Sequence, residues 1–269
     1  MDTPDPALQA QQDRRKLWRA FNAALAFVAV LLACFAAQQQ MDWRAFAVAP
    51  QTTAGLAGIL GSPLLHGSSK HLAANASALL ILGTLAGAVY PRATLRALPL
   101  LWIGGGIGAW MLGQAGSHHL GASGLTHALM FLLLTLGLLR RDRAAIATGM
   151  IAVLFYGPML LTVLPGEAGI SWQSHLGGAL AGILAGIALR HSDPRPARQR
   201  YSWELEEEAA LADHALDESL EQRAAHNVPV LWQRPAQQQY GVVLPFRRPD
   251  AGTEDERDQG RQDDRPSPP

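Results

Sequence analysis

Residues 121–139 read GASGLTHALMFLLLTLGLL, and the reading of this stretch decides the fold. Its length and apolarity match the roughly 20 residues that a helix needs to cross a bilayer. It opens on Gly121-Ala122-Ser123-Gly124, so a hydroxyl and two glycines begin an otherwise lipid-like helix. A buried hydroxyl needs a partner and glycine weakens a helix, so the placement calls for a reason. Two reasons compete. Small residues let membrane helices approach closely. Alternatively, the unpaired N–H groups and positive dipole end of a helix start suit a site that holds a developing oxyanion.

Outside this stretch the averages mislead. The 269 residues carry 22 basic and 22 acidic groups and a mean hydropathy of +0.06, as an ordinary soluble protein would. Residues 1–200 hold 15 Lys and Arg against 7 Asp and Glu, however, and residues 201–269 hold 7 against 15. The apolar residues concentrate in the first part, in runs of membrane-spanning length. An all-α polytopic membrane domain with a polar tail is expected, with spans at 18–37, 71–90, 97–115, 121–139, 144–164 and 173–190. The segments follow as 1–17, an N-terminal stretch; 18–190, a six-helix membrane domain; and 191–269, an acidic tail.

Charge orients the spans. With the N-terminus inside, the inner segments carry thirteen basic residues, among them Arg14, Arg15, Lys16, Arg92, Arg140 and Arg190, and the outer segments carry only Arg44 and Lys70. That bias predicts cytoplasmic termini; the membrane expected is a bacterial inner membrane. A first span that is instead a cleaved signal sequence, with small residues around Ala36, would leave the direction of the other five unchanged. Residues 38–70 form a long connection whose apolar piece at Gly55–Leu60 is too short to cross. In the tail, Leu205, Ala209, Ala212, Leu216 and Leu220 recur at helical spacing, predicting one amphipathic acidic helix over 201–226. Residues 227–269 have the composition of a disordered segment.

Spans two, four and six all run from outside to inside, so their first residues share one depth. Those starts hold His71 and Asn75, then Ser123, then His175. A polar or ionisable side chain within a span is costly, which makes each a functional candidate, although a single histidine in isolation reads better as a hydrogen-bonded core residue. On span six, Gly178, Gly182 and Gly186 form a stripe for close helix contact, and His175 lies on nearly the same face. If span four is the neighbour, with its equally small Gly124, Ser123 and His175 can meet, and a histidine base is what a serine needs to become a nucleophile. Between Trp43 and Gly166 the only acidic residue is Asp142, on the inner side, so a Ser-His dyad rather than a triad is the natural form. His71 and Asn75, spaced i, i+4, share a face and offer N–H donors beside the Ser123 backbone N–H. Gly121-x-Ser123-Gly124 is not the Gly-x-Ser-x-Gly elbow of soluble hydrolases.

His66-x4-His71-x3-Asn75, Gly121-x-Ser123-Gly124 and His175-x-x-Gly178, in this order on spans two, four and six, resemble the signature set of the rhomboid intramembrane serine proteases. The resemblance covers roughly residues 18–190. It implies a six-helix rhomboid-like bundle in which Ser123 is the nucleophile, His175 the general base, and His71 and Asn75 the oxyanion stabilisers, supported by Gly121 and Gly124. It also implies a cleft open to the outer face and substrates that are themselves membrane helices. Where the family often has an aromatic packed on the base, four residues after the serine, this chain has His127. His127 is thus a packing partner of the base or, one turn from Ser123, a rival for its role. A rhomboid-like protein that binds helices without cutting them is the second reading. A histidine-only ion site, drawing on the outer-half residues His66, His71, His118, His119, His127 and His175, is the third. No cofactor or metal is expected. The expected partners are transmembrane protein substrates and membrane lipid, not nucleic acid, with any partner of the acidic tail left open.

Overall fold

The computed structural model describes residues 6–166, 169–194 and 202–227, in two compact units, Met1–Arg198 and Gln199–Pro269. Among the described residues the regular structure is helical, with one bridge pairing Val48 with His119. The first unit contains α1 (Pro6–Ala37), α2 (Gly55–Gly61), α3 (Ser69–Val89), α4 (Pro91–Leu112), α5 (Ser123–Arg140), α6 (Arg143–Tyr156) and α7 (Trp172–Leu189). The second unit contains α8 (Ser202–Asn227), on which Leu205, Leu211 and Leu216 are exposed. The expected disorder of the tail falls almost wholly on residues 228–269, outside the described residues.

Local chemistry sets the ends of these helices. The hydroxyls of Ser68 and Ser171 and the carboxylate of Asp142 accept from the backbone N–H groups of His71, Ser174 and Ala145, capping α3, α7 and α6. Pro91 opens α4, where its missing N–H costs nothing. Arg141, left-handed at φ 54°, closes α5. The expected fifth span is not one α-helix. At Gly157-Pro158 it tightens into a 3-10 segment, Gly157–Val163, because proline cannot donate to the preceding turn. α1 begins about three turns before the span expected at 18–37.

The all-α, multi-pass membrane architecture is as expected from hydropathy. Leu95, Met111, Leu138, Leu154, Phe155 and Leu161 point outward, as lipid-facing side chains do. Five helical stretches are long and apolar enough to cross: Ala7–Gln40, Ser69–Val89, Pro91–Leu112, Ser123–Arg140 and Arg143–Val163. The expected sixth, α7, is not among them. It is 18 residues long, opens on Trp172-Gln173-Ser174-His175, and spends Gly177, Gly178, Gly182 and Gly186 on contact rather than apolarity.

α5 is the axis of the first unit and touches α3, α4, α6 and α7. Leu129, Met130, Leu132, Leu133 and Leu136 are buried in the core around it. α7 is wedged between α5 and α4. A Cβ at Gly178 would fall on the carbonyl of Gly124, and one at Gly182 on that of Ala128. On the opposite side Gly177 faces Gly108, with Gly108 Cα 2.8 Å from where its Cβ would stand. The glycine stripe therefore packs on α5, and a second stripe, Gly104 and Gly108 of α4, receives the other face. α1 lies on α3 through Ala20 and Ala24 against Gly87 and Gly83. The short α2 is held by α4, whose Trp102 and Trp110 indoles donate to the carbonyls of Leu60 and Thr52 at 3.1 and 2.9 Å.

Candidate active site

The N-terminal ends of α3, α5 and α7 meet at one end of the bundle. Gly121 N–H donates to the carbonyl of Ser62 at 2.8 Å, seating the start of α5 against the turn that precedes α3. Gly121 has φ +120°, a conformation that side chains disfavour, and a Cβ there would come within 2.7 Å of His71 Nε2. Only glycine lets the His71 ring lie against this turn. Ser123 is the first residue of α5 and partly exposed, so its backbone N–H is one of the groups that the helix leaves unpaired.

His66 is fully buried. Gln38 grips its backbone from both sides, the amide donating to His66 O at 2.6 Å and Oε1 accepting from His66 N at 3.0 Å. Burial pushes the His66 imidazole down to about 4, and the neighbouring His71 adds to the shift. The two rings sit edge to face, 5.2 Å apart. Asn75, 4% exposed, buries its amide nitrogen without a hydrogen-bond partner, as does His66 at Nδ1.

His175 enters from α7, one turn before the Gly178–Gly124 contact. Its ring stacks on that of His127, with centroids 3.9 Å apart and planes within 14°. Its Nδ1 lies 3.1 Å from both the carbonyl oxygen and the hydroxyl of Thr162. His127 directs Nδ1 at the carbonyl of Ser123, 2.7 Å away, and Nε2 at Thr162 Oγ1 and Met159 O, at 2.9 and 3.1 Å. Both nitrogens of His127 are thus engaged away from the serine hydroxyl. As drawn, no hydrogen bond among the described residues joins Ser123 Oγ to His175.

The six histidines expected in the outer half fall into separate settings. His66 faces His71, His127 stacks on His175, and His118 meets Trp43 edge to face at 6.5 Å. His119 pairs with Val48, and its ring bonds Ser117 and Ser171, the cap of α7. Burial, with His118 alongside, holds the His119 imidazole below its ordinary range. Among the described residues no three His, Cys, Asp or Glu side chains gather as a metal-ligand group.

Sequence reasoning overlooked Thr162, the grip of Gln38 on His66 and the link from His119 to Ser171. The run Ile103-Gly104-Gly105-Gly106-Ile107-Gly108 was a legible signal for the second helix contact. Thr162 had only its place near the end of the expected fifth span to mark it.

A Rhomboid domain model matches residues 53–192, and the chain belongs to the rhomboid family. It is 39% identical over 150 residues to an uncharacterized protein of Mycobacterium tuberculosis and to one of Mycobacterium bovis. It is 37% identical over 140 residues to an uncharacterized protein of Mycobacterium leprae. The matches cover 53% of this chain and 62% of the first two relatives, and 49% and 55% for the third. The chain therefore spans less than two thirds of the length of these relatives.

Proposed function

We propose that this protein is an intramembrane serine endopeptidase that cuts transmembrane-helix substrates near the outer face of a bacterial inner membrane, with both termini cytoplasmic. The observation that carries the reading is the backbone contact of Gly178 with Gly124, which brings His175 to the Ser123 end of α5. In support, Thr162 occupies His175 Nδ1 and leaves Nε2 as the nitrogen to take a proton.

Ser123 Oγ attacks the scissile carbonyl carbon, its proton passes to His175 Nε2, and the carbonyl electron pair moves onto oxygen. The Ser123 N–H, the unpartnered Asn75 amide and the His71 ring N–H are the donors for that oxyanion. Collapse breaks the C–N bond, and the leaving amine takes the proton from His175. Water then repeats the sequence on the acyl-serine and frees the enzyme. The bias of thirteen basic residues in the inner segments against two in the outer ones supports the outward placement of Ser123.

A family member that binds helices without cutting is the second reading, favoured by the lack of a drawn Ser123–His175 hydrogen bond. Catalytic hydrogen bonds often tighten only in the substrate complex. The test is incubation of the purified protein with a panel of transmembrane substrates and a serine-reactive phosphonate. Cleavage and labelling are expected, both abolished by Ser123→Ala and His175→Ala, with substantial activity kept by His127→Phe. Cleavage that survives Ser123→Ala refutes the mechanism, and a dead His127→Phe beside an active His175→Ala reassigns the base.

A further inference from the structure

The proposed dyad lacks a carboxylate, yet the base is not left to turn freely. His175 Nδ1 faces the Thr162 carbonyl, which can only accept, so Nδ1 carries the proton and Nε2 the lone pair. His127 has a carbonyl near each ring nitrogen, Ser123 O at 2.7 Å from Nδ1 and Met159 O at 3.1 Å from Nε2, and the Thr162 hydroxyl lies 2.9 Å from Nε2. One oxygen, Thr162 Oγ1, lies within hydrogen-bond reach of both stacked imidazoles, accepting from His175 Nδ1 while its own proton goes to Met159 O.

The position of Thr162 makes this possible. It is the second-last residue of Gly157–Val163, the 3-10 segment begun at Gly157-Pro158. Carbonyls at a helix end have no successor N–H to bond, so the Thr162 carbonyl is free to receive a ring. A threonine that only bonds back three residues, to Met159 O at 2.9 Å, would need neither imidazole.

We propose that Thr162 is a positioning residue for the general base, using its carbonyl and hydroxyl to fix the Nδ1–H tautomer and the ring plane of His175. It takes the orienting part that a carboxylate plays in a Ser-His-Asp triad, without the charge. Being neutral, it steers the imidazolium that forms during attack more than it stabilises it. His127 completes the arrangement by stacking on the face of the His175 ring. The inference rests on the Ser123–His175 reading.

Two substitutions separate orientation from packing. Thr162→Val keeps the branched shape and loses the oxygen, whereas Thr162→Ser keeps the oxygen and loses a methyl. Thr162→Val is expected to lower kcat about tenfold to a hundredfold, part of what general-base catalysis supplies, with KM little changed. Phosphonate labelling of Ser123 should slow in parallel, and Thr162→Ser should stay near wild type. A merely packed threonine gives the reverse order, and Thr162→Val matching or exceeding Thr162→Ser overturns the inference. Should Thr162→Val fail to fold, 15N NMR of histidine-labelled wild-type protein decides, with the His175 signals assigned by their loss in His175→Ala. Protonation at Nδ1 is expected, and a proton on Nε2 overturns the inference. A wild type that neither cleaves nor labels sinks the dyad reading itself; an active wild type with an unaffected Thr162→Val sinks only this inference.

Discussion

The two ends of the bundle are built on opposite terms. At the end that the proposed orientation makes the inner one, Arg140 is buried, and its guanidinium donates to the Asp142 carboxylate at 3.2 Å and to the carbonyls of Arg190, Asp193 and Pro194 at 3.0, 2.9 and 3.0 Å. It also lies over the Tyr90 ring, 5.4 Å from its centre. Asp193 in turn caps α4, accepting from Arg92 N and Ala93 N at 3.0 and 2.9 Å. One arginine and one aspartate thus tie the ends of α4, α5 and α7 together. At the opposite end, the outer one in the proposed orientation, the side chains are neutral or only partly satisfied: the Asn75 amide and His66 Nδ1 are unpartnered, and the two engaged imidazoles bond carbonyls and a hydroxyl. A charge taken out of water must be fully matched, whereas donors kept for a reaction must be left open. The Arg140 end keeps one unsatisfied group of its own, the buried Tyr90 hydroxyl, but its charges are matched.

The sharpest way to break this contrast is at the contact that serves the outer end. Gly178→Val puts a branched side chain against the Gly124 carbonyl and must separate α5 from α7. Cleavage should fall to background in a substrate assay, and the thermal midpoint should drop. An active Gly178→Val would show that the close approach does not position His175.

Arg140→Met tests the inner end. Removing one partner of a buried, hydrogen-bonded charge costs about 3–5 kcal/mol. The expected result is a large loss of stability in chemical denaturation with residual activity well below the transition temperature. Unchanged stability would reduce the Arg140 contacts to ornament, and lost activity in the intact fold would tie the two ends together.

A smaller effect is expected from pH. His66 drops from 6.5 to about 4 on folding, so between those values the unfolded chain binds the extra proton. Its contribution to stability is full above about pH 6.5 and is lost as pH falls toward 4. Thermal midpoints measured across that window should fall for the wild type and fall less steeply for His66→Gln. An equal slope in both would assign the acid sensitivity to other groups.

Truncation after Arg200 should have the smallest effect of all, because no residue of the proposed chemistry lies beyond it. Cleavage of transmembrane substrates should persist, and complete loss in a folded truncation would bring the tail into the catalytic unit.

The polar residues of the outer end were legible because depth follows from hydropathy and charge, both of which are local. His71, Asn75, Ser123 and His175 each stand near the start of an apolar run, and the basic residues order those runs. The spacing of Gly178, Gly182 and Gly186 likewise marks a contact face, since 3.6 residues per turn is a property of any helix. Which helix fills that face is not local. Its being α5, with Gly104 and Gly108 of α4 on the other side, depends on how three helices rotate and tilt against one another.

By itself, then, the sequence determined the membrane class and the polar residues that stand at the starts of the apolar runs, because periodicity and transfer energy act along the chain. Only the tertiary structure decided that α7, too polar and glycine-rich to rank with the five apolar crossings, is packed between α4 and α5. It alone brought Thr162 to His175, thirteen residues away in sequence, and Arg140 to the carbonyls beyond α7, fifty residues on. Hydrogen bonds are made over about 3 Å, and no one-dimensional pattern sets distances that short between separate helices.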